Sequence, residues 1–207
     1  MGDPAGVGPE ITVKTLTNAG VYERARLAVV GSVDSLRVAA ASLGIDVAVT
    51  AVTRLGEASG SPREIQVFEP LEVRACDIEV GKVSAACGHA AVQFFEAAVT
   101  EALAGHIEGV VTCPINKEAV HAAGYHGDIG HQEILARMTR AGLTATMLMT
   151  TGLKVAHLST HKSLAEAVRY VRTPVLVEKL DLTIDSLRRW GLESPRIAVS
   201  ALNPHGG

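Results

Sequence analysis

Short apolar runs alternate with helical stretches along the whole chain, and that alternation leaves few folds open. Arg26 to Gly31 (RLAVVG) reads as a buried strand. Asp34 to Leu43 reads as a helix with Ser32 as its cap and Gly44 as its stop, and Ile45 to Thr53 as another strand. Glu57 to Glu64 carries Gly, Ser and Pro and reads as a loop, with a short strand from Ile65 to Phe68 behind it. Ser84 to Leu103 is the longest helical pattern, with Val92, Phe95, Val99 and Leu103 at helical spacing. It stops at Gly105, ahead of a buried-strand run from Gly109 to Cys113. Strand, helix, strand in succession calls for parallel pairing with right-handed crossovers. Aromatic residues are only 3% of the chain, so Val, Leu, Ile and Ala must fill the core, as they do in sheets covered by helices on both faces.

The remaining segments follow the same grammar. Gly2 to Glu10 (GDPAGVGPE) is a rigid loop that opens a helix from about Pro9 to Asn18, with proline in the first turn and Glu10 at its positive end. Lys117 begins a short helix to Ala123, and Gly130-His131 leads a helix to about Arg140. Thr144 to Thr150 and Lys154 to Ser159 are strand runs with Gly152 in a hairpin-like turn between them. Ser163 caps a helix from Leu164 to Val171. Thr173 to Trp190 is a long helix begun with Pro174 and closed by Gly191, and Arg196 to Ser200 is a strand feeding Asn203-Pro204-His205. A chain of 207 residues that is 47% hydrophobic can bury a sizeable core, as one large domain or two small ones.

Charge and cysteine usage remove several function classes. The net charge of -3 has no basic block behind it, which leaves nucleic acid without an electrostatic footprint. Cys76, Cys87 and Cys113 are widely spaced and form no CxxC, so they read as free thiols in a reducing, cytoplasmic setting. No secretory leader is recognisable and no apolar run is long enough to cross a membrane. Met1 opens directly on a glycine-rich turn that would normally follow a strand, and Gly207 stops inside another. The expectation is a piece of a longer protein.

The candidate chemistry lies at the ends of the strand runs, where open α/β sheets carry their ligands. Thr112-Cys113-Pro114-Ile115-Asn116-Lys117 brings a lysine that could meet a carboxylate or phosphate, or be solvated. His131 stands at a helix N-terminus, which disfavours the imidazolium and leaves a neutral ring for a ligand. His161 and His205 each stand just past a strand run. They are a divalent-metal pair or two separate loop histidines, and a catalytic metal would need a third ligand and an open position. Gly6 and Gly8 could turn their amides to an anion, or simply make a tight turn. His89 and His106 read as capping or surface residues.

Together, Gly2-Asp3-Pro4-Ala5-Gly6-Val7-Gly8-Pro9-Glu10, Thr112 to Lys117, Gly130-His131-Gln132-Glu133, Thr160-His161 and Leu202-Asn203-Pro204-His205-Gly206-Gly207 resemble the successive blocks of the 4-hydroxythreonine-4-phosphate dehydrogenase family and its four-carbon sugar-acid phosphate relatives. The resemblance implies an isocitrate/isopropylmalate dehydrogenase-like α/β fold of two domains with a cleft between them, here incomplete. Residues 1–123 would be part of a nucleotide-side domain completed by an absent C-terminal segment, and residues 124–207 a substrate, metal and dimer-interface domain. It implies NAD and one divalent metal ion (Zn, Mg or Co), a homodimer with the active site at the interface, and oxidation and decarboxylation of a phosphorylated hydroxy acid, with 4-phosphohydroxy-L-threonine first and threonate or erythronate 4-phosphate as the alternative. By match of motif His161 and His205 would hold the metal and His131 and Gln132 the substrate, with Lys117 as an anion or proton-transfer contact in catalysis. Gln132 stands where many members have threonine, and the third metal histidine would lie beyond residue 207. A metal-dependent lyase without NAD and a non-catalytic fragment are the competing readings.

Overall fold

The computed structural model describes residues 1–127, 130–160 and 162–205. They fall into two compact units, Met1–Arg140 and Ala141–Gly207. The first holds α1 (Gly8–Leu16), α2 (Ala19–Tyr22), β1 (Val29–Val30), α3 (Val33–Leu43), β2 (Ala48–Val52), β3 (Glu64–Phe68), α4 (Ala85–Leu103), α5 (Lys117–Ala122) and α6 (His131–Thr139), with single 3-10 turns at Leu55–Glu57 and Ala75–Asp77. The second holds β4 (Met147–Thr150), β5 (Leu153–Ala156), α7 (Leu164–Tyr170) and α8 (Thr173–Arg189).

The parallel arrangement expected from the alternation is present. β1, β3 and β2 form a three-stranded sheet in that order, with both pairings parallel: Val29 faces Val67, and Ala48 to Val52 face Glu64 to Phe68. The crossover helix α3 starts where the sequence placed it, because the Ser32 hydroxyl accepts the Ser35 amide at 3.2 Å while donating to the Val73 carbonyl at 2.8 Å. Val13 of α1 and Leu36 of α3 close over Val49, Ile65 and Val67 of the sheet to make the first core. A second core lies on α4, where Val92, Phe95 and Val99 meet Val120 of α5 and Ile134 of α6. α4 and α5 touch backbone to backbone: a Cβ on Gly88 would lie 2.1 Å from the Ala119 carbonyl oxygen, so only glycine fits. Leu103, expected on the same stripe, is exposed, since the last turn of α4 runs past its neighbours.

Three strand expectations need correction. Arg26 to Gly31 pairs only at Val29–Val30. Gly109 to Cys113 forms no strand, and Val111 is 92% exposed. Arg196 to Ser200 likewise stays unpaired and exposed. An apolar β-branched run states that its side chains favour cover, but a strand also needs a neighbouring backbone, and none is offered to these runs among the described residues.

In the second unit, β4 and β5 make the expected antiparallel hairpin through Gly152, whose φ is 80°. Ser163 and Glu166 form a reciprocal capping box at the start of α7. Lys179 of α8 donates to the Thr144 carbonyl. Only Thr183 and Leu187 are buried among the described residues of this unit.

Candidate functional site

The glycine-rich N-terminal turn is tied to the segment that follows Gly109. Gly2 has φ of +79°, and a Cβ there would come within 2.4 Å of the Pro114 carbonyl oxygen, which instead accepts the Asp3 amide at 3.1 Å. The Asp3 side chain accepts the Ala5 amide at 2.8 Å, Gly6 donates to the Asp3 carbonyl at 3.1 Å, and Gly81 donates to the Ala5 carbonyl at 2.8 Å. The turn is thus held by its own bonds and by two other segments. Of the two readings open for Gly6, the tight structural turn is the one observed, since its amide is already used. Asp3 is only 4% exposed, and burial raises its carboxyl pKa, partly offset by the Ala5 amide.

Past this turn, Thr12 of α1 donates to the Gly8 carbonyl at 2.8 Å and its hydroxyl lies 3.5 Å from the Cys113 sulfur. Asn116 caps α5 by accepting the amides of Glu118 and Ala119 at 2.9 and 3.1 Å. Lys117 is therefore the first helical residue and its side chain is exposed. A cation there opposes the helix dipole and is mildly unfavourable to α5.

His131 opens α6, as expected from Gly130-His131, and no side chain caps this helix at Gly130. The imidazole is half-buried against Phe95 of α4, with ring centroids 4.7 Å apart and planes at 76°. Its pKa is lowered, first by burial and second by the Met1 ammonium. Ring and neighbours form part of the wall of a cavity of about 980 Å³ within the first unit, together with Ile11, Thr12, Val29, Phe95 and Cys113. Gln132, the next residue, is exposed and lies outside this wall, as does Lys117. His131 thus shares one cavity lining with Thr12, Cys113 and Phe95, of which Phe95 is in ring contact with it, while Lys117 and Gln132 lie outside that lining. Sequence reading missed Thr12 and Cys113, which are 101 residues apart and share no local signal. It placed Phe95 in the core by spacing alone.

The other histidines divide cleanly. His106 pairs with Glu101 at 2.9 Å on the surface, as a surface histidine should. His89 meets the Tyr125 hydroxyl at 2.7 Å. His205 is exposed in a turn where its amide donates to the Asn203 side chain at 2.8 Å, and His161 lies outside the described residues. Among the described residues no three His, Cys, Asp or Glu side chains gather closely enough to hold a metal ion. An imidazole such as that of His205 is a suitable donor for zinc or cobalt and a poor one for magnesium. A catalytic metal site built on it would need further ligands. Among the described residues, no helix is long and apolar enough to cross a membrane.

Comparison with known proteins shows the family. Residues 23–207 match the family model described as pyridoxal phosphate biosynthetic protein PdxA. The chain is similar to D-threonate 4-phosphate dehydrogenase of Salmonella typhimurium, at 38% identity over 208 residues covering 100% of this chain and 63% of the relative. It is similar in structure to a 4-hydroxythreonine-4-phosphate dehydrogenase from Klebsiella pneumoniae, with a TM-score of 0.90 and 36% identity over 100% of this chain and 63% of that one. The corresponding protein from Burkholderia phymatum gives a TM-score of 0.87 at 35% identity, over 100% of this chain and 62% of that one. The chain spans less than two thirds of the length of these relatives.

Proposed function

The chain belongs to the family of pyridoxal phosphate biosynthetic protein PdxA, and from that premise we propose that it serves the NAD-dependent oxidation of a phosphorylated four-carbon hydroxy acid, followed by loss of carbon dioxide. The observation that carries this reading is His131: an imidazole at the start of a helix, half-buried in the wall of a cavity and kept neutral by its surroundings. A neutral imidazole can hydrogen-bond a substrate hydroxyl or carboxylate without presenting a fixed charge. Sequence reading put 4-phosphohydroxy-L-threonine first; the name carried by the Salmonella typhimurium relative brings D-threonate 4-phosphate forward.

In the proposed reaction the substrate C–H leaves as hydride, the hydroxyl proton leaves to a base, and the resulting keto acid loses carbon dioxide. When bound, a nicotinamide would supply the hydride acceptor, and His161 and His205 with a further ligand would hold a divalent ion that would supply a Lewis acid. The remaining work falls to this chain's own groups. His131 orients the substrate from the N-terminus of α6. Lys117, a cation set against a helix dipole on an exposed turn, meets the substrate's negative charge. Gln132, beside His131, adjusts which hydroxy acid is accepted.

For the fold we propose the isocitrate/isopropylmalate dehydrogenase-like plan, with an active site at a homodimer interface. Residues 1–123 would form the domain that a further segment completes, and residues 124–207 the interface domain. The support is the run from Gly109 to Cys113, apolar in sequence yet without a ladder partner among the described residues.

The test is an assay of the chain with NAD, a divalent ion and either D-threonate 4-phosphate or 4-phosphohydroxy-L-threonine, following reduced nicotinamide and released carbon dioxide in parallel. The expected result is equal formation of both from one substrate in preference to the other. Carbon dioxide or water lost without nicotinamide reduction would replace this reading with a metal-dependent lyase, and no turnover with any combination would leave a binding fragment.

A further inference from the structure

Of the three residues of α4 that build the second core, Val92 and Val99 are enclosed entirely between helices, whereas Phe95 also reaches the cavity wall. Its ring meets one side chain there edge to face, the imidazole of His131, at 4.7 Å and 76°. Aromatic pairs favour this arrangement because the positive ring edge of one meets the negative face of the other, and it couples the plane of one ring to that of its partner. Among the described residues no hydrogen bond holds either nitrogen of His131, and Gly130 gives α6 no side-chain cap. The imidazole therefore depends on packing for its orientation. Ile134, one turn along α6, is fully buried in the same cluster, which fixes the helix but leaves the ring itself free to turn.

On the reading of His131 as a substrate contact given above, we propose that Phe95 is its positioning residue, holding the imidazole plane so that one nitrogen is presented to the cavity in a single orientation. A residue that only filled space would be replaceable by any side chain of similar bulk. A positioning residue needs the ring. The ring covers one side of the imidazole, and burial is the first cause of its lowered pKa, so the titration of His131 reports the contact.

The test follows the imidazole carbon–proton signal of His131 by NMR through a pH titration, assigned with His131→Gln, in the 207-residue chain and in Phe95→Leu and Phe95→Tyr. Binding of D-threonate 4-phosphate is measured on the same proteins by calorimetry. Phe95→Leu is expected to move the titration midpoint upward and to weaken binding by about tenfold, the scale of one lost hydrogen bond. Phe95→Tyr, which keeps the ring, is expected to retain the original midpoint. A folded Phe95→Leu with an unmoved midpoint overturns the proposal. So does a Phe95→Tyr that shifts as far as the leucine variant, and this second variant decides the matter should the first fail to fold. If the unaltered chain binds no phosphorylated hydroxy acid, the functional reading falls while the titration still decides the role of Phe95.

Discussion

The two units solve the burial problem differently. Met1–Arg140 closes two apolar clusters of its own, one between α1, α3 and the parallel sheet and one between α4, α5 and α6. In Ala141–Gly207 the hairpin carries Leu148, Met149 and Leu153 each at 58% exposure, and Trp190 and Leu202 are exposed as well. Both are built from good local signals: Ser32 and Ser84 cap helices in the first unit, and Ser163 with Glu166 boxes one in the second. Local signals therefore produce elements in either place, but among the described residues only the first unit converts them into a core. Secondary structure without such a core is marginal, because most helical and sheet stability comes from packing an apolar face.

Hydrogen exchange should separate the units most widely. The amides of β3 and α3 are expected to exchange several orders of magnitude more slowly than those of β4 and β5. Equal protection, read by mass spectrometry on peptides from both units, would remove the contrast. Next in size is side-chain truncation. Ile65→Ala, in the centre of the sheet, should cost about 2–5 kcal/mol in a urea titration, while Leu148→Ala should stay within about 0.5 kcal/mol. A large loss at Leu148 would reveal cover on the hairpin. Gly88→Ala forces α4 away from Ala119 and should cost about 1–3 kcal/mol, with the second core and not the sheet loosening first.

Ser163→Ala removes the capping box and should cost α7 about 1 kcal/mol, read as lost helicity by circular dichroism, without disturbing the first unit. The smallest effect is the pH dependence of the first unit. The pKa of His131 is lower in the folded chain than its ordinary value of 6.5, so the unfolded chain takes the proton first as pH falls. Stability should decline from about pH 6.5 down to the folded pKa and level off below it, and His131→Gln should abolish that segment of the curve. Asp3 has the opposite sign: its raised pKa means that acidification below the folded value relieves a penalty.

What could be read from residues alone follows the range of the forces involved. The cap of α3 at Ser32, its stop at Gly44, the hairpin at Gly152 and the start of α6 at His131 are set within a few residues, and each lies where the pattern put it. The parallel class of the sheet was legible in the succession of strand, helix and strand, but its order was not, since β2 and β3 are neighbours without an α-helix between them. Gly109 to Cys113 was misread because an apolar run records a preference for cover and not whether a neighbour supplies it. At the candidate site, His131 carried a local signal in the residue before it. Thr12 beside Cys113 and Phe95 against His131 carried none, since periodicity gives a face of a helix and not the distance to another element. Asn116 did have one, as an amide side chain directly ahead of a helix start, and was passed over beside the more conspicuous lysine.

The sheet order has a consequence for how the chain is made. Among the described residues every ladder bond in the parallel sheet involves β3, with β1 on one side and β2 on the other. On a ribosome, β1, α3 and β2 emerge before the strand that joins them, so no sheet can nucleate until Glu64 to Phe68 has cleared the exit tunnel. Through that interval the nascent chain exposes two apolar strands with open edges, which is when a chaperone would find it.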